Sequence, residues 1–135
     1  MKRLIPLFLT PLWAWSADGY RLYQDHCAKC HVEIMGKAQA QQSFKQLKAP
    51  PMNEVSRRLR TNIVIADDDE DVHRAVVVAF IKDYIDNPAL EKSMCDPVAL
   101  ERFDVMPSQK GKLKEEEKEA VAGWIYDRYL DVPFD

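Results

Sequence analysis

Two cysteines and a histidine within five residues, Cys27-Ala28-Lys29-Cys30-His31, constrain this chain more than any other stretch. In an exported protein, C-x-x-C-H reads as a site where haem is fixed covalently. Each thiol can form a thioether to the macrocycle, and the adjoining imidazole can ligate the iron from one side. Cys27 and Cys30 are three positions apart, so a helical turn delivers both to the same side.

The motif alone also fits a zinc site or a redox dithiol. A zinc site wants further Cys or His at paired spacing, and the sequence has none. A thioredoxin-like dithiol wants strands around it, whereas the flanks here read as helix. Three cysteines are too few for a disulfide-built fold, and Cys95 is left over from the motif. A buried free thiol is its simplest reading, with a redox or tethering role open.

Length and charge narrow the rest. At 135 residues the chain suits one domain with one core. A 47% hydrophobic share with 30% charged residues is that of a soluble globular protein. The net charge of −3 offers no basic surface to nucleic acid or anionic lipid.

Met1-Lys2-Arg3 is a short basic start, followed by an apolar run from Leu4 to Trp15 that Pro6 and Pro11 interrupt. Small residues at Ala14 and Ser16 complete the pattern of a cleaved signal peptide over residues 1–17. The run falls short of the ~20 residues that a membrane span needs. The expectation is an exported, soluble, periplasmic protein with its domain at 18–135.

Periodicity places the remaining elements. Tyr20, Tyr23 and Cys27 recur at helical steps over 18–28. Gly36 breaks the chain, and 37–48 reads as a short polar helix striped by Ala40, Phe44 and Leu47. Asn53 is placed to cap a helix carrying Val55, Leu59 and Ile63. Its other face holds Arg57, Arg58 and Arg60, a solvated run from which one guanidinium could serve a haem propionate. The acids at 67–71 suit the first turn of a helix reaching about Asp86. Val72, Val76, Ala79, Phe80 and Tyr84 are expected on its buried side, widened by Val77, Ile81 and Ile85. A short helix follows at 97–103, then a last one from Leu113 to Leu130 whose Lys114 start should fray.

Gly19-x-x-x-Tyr23-x-x-x-Cys27-x-x-Cys30-His31 resembles the N-terminal helix of the class I (monohaem) c-type cytochromes. Met106-Pro107, just before the last helix, is similar to that family's Met-Pro pair. The resemblance implies an all-α cytochrome c fold, with three main helices and several short ones around one haem c. It implies Cys27 and Cys30 as the covalent attachment and His31 and Met106 as axial ligands of the iron. It also implies that a glycine and an aromatic residue let the first helix cross the last closely. A proline carbonyl, from Pro50 or Pro51, would accept the hydrogen bond from the other ring nitrogen of His31. No Gly-Pro pair follows the motif, which departs from the family pattern. Tyr23, Phe80 and Trp124 are expected to pack the haem pocket or the helix crossing.

Pro107 forces Met106 away from the α region and stiffens its loop. A thioether favours Fe(II), so His/Met ligation raises the reduction potential. With both axial positions filled, the iron is suited to electron transfer between protein redox partners rather than to catalysis. Met52 and His73 are the rival ligands, while Met35 and Met94 read as core or loop and His26 as helix surface. The main functional expectation is a periplasmic monohaem electron carrier, acting as a monomer or in transient complexes. The alternative is a cytochrome c subunit of a multi-subunit periplasmic oxidoreductase. A third reading, with the distal ligand exchanging, is a gas sensor or weak peroxidase; a dihaem enzyme is excluded by the single motif.

Overall fold

The computed structural model describes residues 18–67 and 69–135. The expected signal peptide at 1–17, and Asp68 of the acidic run, lie outside the described residues. Among the described residues the fold is all-helical and has no strand. The order is α1 (Gly19–His26), α2 (Lys37–Gln42), α3 (Met52–Asn62), α4 (Glu70–Asp86), a single 3-10 turn (Leu90–Lys92), α5 (Pro97–Phe103) and α6 (Glu115–Arg128).

Side chains set most of the helix starts. Asp18 caps α1 by accepting from the amides of Tyr20 and Arg21 at 3.0 and 3.4 Å. Asp69 caps α4 through the Val72 amide at 3.1 Å, with Glu70 and Asp71 in the first turn. Asp96 caps α5 through the Ala99 amide at 2.8 Å, with Pro97 beginning the helix. Lys114 does not fray: the Glu117 carboxylate reaches back to its amide at 2.8 Å.

The packing turns on α6, against which α1, α3 and α4 all rest. Its buried face carries Val121, Ala122, Ile125 and Tyr126, continued by Tyr129. α1 crosses it at Gly19, where Trp124 stacks on Tyr23 with ring centroids 4.8 Å apart. Ser56 of α3 donates to the Ile125 carbonyl at 2.7 Å, and Arg60 to the Tyr129 carbonyl at 2.9 Å. α4 adds a polar seam in which Lys118 meets Asp86 at 2.7 Å and Lys82 meets Glu115 and Glu119 at 2.7 Å.

Several expectations are corrected. The α1 helix ends at His26, and the motif follows in consecutive turns, so Cys27 and Cys30 do not extend it. The 37–48 helix is regular only to Gln42; Ala40 and Leu47 are still buried. Asn53 is not the cap of α3, because Pro51 holds that position. The Met52 and Asn53 amides are satisfied instead by the Val32 and Glu33 carbonyls at 2.7 and 3.1 Å. That frees the buried Asn53 side chain to clamp the Met35 amide and carbonyl at 3.2 and 3.0 Å.

α4 presents a different face from the one expected. Val77, Val78, Ile81 and Ile85 are buried, whereas Val72 and Val76 are 49% and 41% exposed and Ala79 is exposed as well. Apolar residues stand on nearly every side of this helix, so the pattern could not choose the buried one.

Candidate functional site

A cavity of about 590 Å³ lies beside the motif, within the ~300–1,000 Å³ usual for small-molecule and cofactor sites. Cys27, Cys30 and His31 face it from the turns after α1. Met106 and Pro107 face it from the segment between α5 and α6. Phe80 and Tyr84 of α4, and Val55 and Leu59 of α3, help to make its apolar wall. The four site residues expected from the sequence therefore meet around one cavity.

His31 is held from two directions. Its backbone carbonyl accepts from the Tyr23 hydroxyl at 2.6 Å. Its Nδ1 lies 2.7 Å from the Pro50 carbonyl, the first of the two prolines expected there. A carbonyl can only accept, so Nδ1 carries the proton and Nε2 keeps its lone pair. Burial lowers the His31 pKa, with the Pro50 bond opposing it, and favours the neutral imidazole that a metal needs. Tyr23 itself is pushed up to about 12, mainly by burial.

Burial also raises Cys27 to about 11, with Cys30 adding to the effect. A redox dithiol needs the opposite shift, toward thiolate at neutral pH. Among the described residues, no group of three or more His, Cys, Asp or Glu is placed to hold a metal ion.

The rival residues separate. His73 bonds the Tyr126 hydroxyl at 2.8 Å and the Ile63 carbonyl at 2.9 Å, away from the cavity. Met35 is also absent from the wall, while Met52, Met94, Cys95 and His26 contribute to it. Burial pushes the Cys95 thiol up, against a hydrogen bond from Ser93 and the nearby Arg58 charge.

The arginine run is no solvated face. Arg57 and Arg58 line the cavity and share one buried carboxylate, Glu54. Arg57 donates to it at 2.8 and 3.0 Å and Arg58 at 2.7 Å, while a second Arg58 nitrogen reaches Asp96 at 2.7 Å. Sequence reasoning passed over Glu54, although its steps of three and four to the arginines are the spacing of ion-paired helix neighbours.

The donor set suits a haem group: two thiols, one neutral imidazole nitrogen and a thioether around an apolar cavity. It does not suit a hard cation, which wants clustered oxygens.

Comparison with known proteins agrees. The family described as cytochrome C oxidase, cbb3-type, subunit III matches residues 15–125. An uncharacterized protein of Aquifex aeolicus (strain VF5) is 39% identical over 144 residues, covering 96% of this chain and 89% of the relative. No solved structure matches the chain. The motif, the all-helical fold and the cavity thus find their explanation in descent: the chain belongs to the cbb3-type cytochrome c oxidase subunit III family, and its cytochrome c domain is built for haem-based electron transfer.

Proposed function

We propose that the protein is a periplasmic monohaem c-type cytochrome that passes single electrons between protein redox partners. Residues 1–17 are its cleaved signal, and 18–135 its working domain. Cys27 and Cys30 would hold one haem c covalently, and His31 and Met106 would ligate its iron.

One observation carries this reading: the Nδ1 of His31 is committed to the Pro50 carbonyl at 2.7 Å, while Met106 faces the same cavity. When bound, haem supplies the Fe(III)/Fe(II) couple. The protein does the rest. Pro50 fixes the tautomer of His31 and raises its basicity as a ligand. Met106 offers a soft thioether that favours the reduced state. The apolar wall excludes water, which limits the rearrangement that accompanies a change of charge.

Optical spectroscopy of the purified protein tests this. Haem should stay with the polypeptide through denaturing electrophoresis, and the oxidised form should show a far-red sulfur-to-iron band. Haem lost on denaturation would remove the covalent attachment, and a missing band would remove Met106.

The family description names an oxidase subunit, and it favours a second reading in which this cytochrome works inside a larger complex. Size exclusion of the native protein separates the two. A monomer supports the free carrier; co-migration with an oxidase supports the subunit.

A further inference from the structure

Met106 reaches the cavity from a short segment fastened at both ends. On its far side, Ser108 donates to the Asp86 carbonyl at 2.6 Å and the Gln109 amide to the Ile85 carbonyl at 2.7 Å. On its near side stands α5, only seven residues long, with no buried side chain. Too short to be stable alone, such a helix depends on its tertiary attachments.

One attachment is apolar, Phe103 packing edge-on against Phe44 with ring centroids 5.3 Å apart, and the others are polar. Arg102 donates to the Lys45 and Leu47 carbonyls at 2.7 and 3.0 Å. Asp96 does two things at once: one oxygen caps α5 through Ala99 at 2.8 Å, and the other takes Arg58 at 2.7 Å. Arg58 is in turn held at 2.7 Å by Glu54, which is buried. A chain of ion pairs therefore runs from α3 to the start of the segment that carries Met106.

Backbone strain at the other end of α5 gives that chain something to oppose. Asp104 leaves the helix with φ 60° and ψ −166°, a region that side chains other than hydrogen avoid. Such a conformation persists only where its surroundings over-determine it. Met106 follows Asp104 by two residues.

We propose that Glu54, Arg58 and Asp96 are positioning residues for the distal ligand: they hold α5 down so that Met106 stays in the cavity. The inference rests on Met106 being a ligand of the haem iron and goes beyond it, because it assigns a function to cavity-wall groups that join α3 to the start of α5. When the chain is broken, the population with Met106 withdrawn grows. An added ligand that needs the vacated position then binds more tightly in proportion. Asp96 is 43% exposed and Arg58 26%, so the gain is about fivefold rather than a hundredfold.

Haem-loaded wild type, Asp96→Asn, Arg58→Gln and Arg74→Gln are to be compared by the far-red band of the oxidised form and by titration with imidazole. Asparagine at 96 still caps a helix but cannot pair with a guanidinium, so Asp96→Asn separates the tether from the cap. Arg74→Gln breaks an ion pair with Asp127 on the α4–α6 face and serves as a control for lost stability. Asp96→Asn and Arg58→Gln should weaken the band and tighten imidazole binding about fivefold. Arg74→Gln should change neither, and Arg58→Lys, which keeps the charge but not the fork, should fall between. A normal band and wild-type imidazole affinity in both Asp96→Asn and Arg58→Gln would overturn the proposal alone. A wild type without the band would overturn the Met106 assignment, and this proposal with it.

Discussion

Gly19 lies so close to Trp124 that a Cβ built on it would stand 2.4 Å from the Trp124 Cβ and 2.6 Å from the Ala120 carbonyl oxygen. The obstacle on each side is backbone or the root of a side chain, which cannot swing away. Any residue but glycine must push α1 off α6, and Tyr23 and the motif move with α1. Gly19→Ala should therefore cost about 2–3 kcal/mol, the upper range for overpacking a dense contact. Denaturant unfolding monitored by Trp fluorescence checks it; a loss below about 0.5 kcal/mol would mean that the crossing relaxes.

The Tyr23 hydroxyl is the lever by which α1 holds the His31 backbone, at 2.6 Å. Tyr23→Phe keeps the ring stacked on Trp124 and removes only that donor. A loss of about 1 kcal/mol is expected, the usual net worth of such a bond. Urea unfolding of both proteins measures it.

These two contacts show what the sequence could and could not disclose. The close crossing of α1 and α6 was implied by the resemblance of Gly19-x-x-x-Tyr23 to the family's first helix, and it is present. Met106 stands out by the resemblance of Met106-Pro107 to the family's Met-Pro pair, and it lines the cavity. Asn53 was misread as a cap: nothing local announces that the 32–33 carbonyls serve α3 from outside and leave its side chain for Met35. Val72 and Val76 were assigned to the core because they are valines in a helix apolar nearly all round. The chain from Glu54 to Asp96 was hidden because one of its partners lies on a separate helix.

Glu115 gives the fold a dependence on acid. Hydrogen bonds from Lys82 and Lys118 hold its carboxyl down at about 2, against an ordinary 4.5. The folded state thus favours the carboxylate more than the unfolded chain does. Its contribution is complete above about 4.5 and disappears as pH falls toward 2. Melting temperatures should decline across that interval, and Glu115→Gln should flatten the decline. An identical profile in the variant would show that the pairing has no weight in solution.

Asp104 offers a ranking rather than a single value. Its positive φ is costly for any side chain, and its carboxylate offsets part of the cost by accepting from the Val105 amide at 2.7 Å. Alanine keeps the strain and loses the acceptor; glycine loses both. Asp104→Gly should therefore be more stable than Asp104→Ala by about 1–2 kcal/mol. Thermal unfolding of the pair decides it, and the reverse order would deny the strain.

The meeting of α1 with α6 also dictates an order of events in time. These are the first and last helices of the described chain, so the loop that must close between them is nearly the whole of it. Contacts between distant segments are the slowest to form, because their entropy must be lost before any packing compensates it. Until α1 has been packed in this way, Cys27 is uncovered, whereas Cys30 is exposed even in the folded protein. Cys27 then titrates at its ordinary 9.0 instead of about 11, with more thiolate available at any given pH. Folding therefore lowers the thiolate share of Cys27 and leaves Cys30 open to solvent.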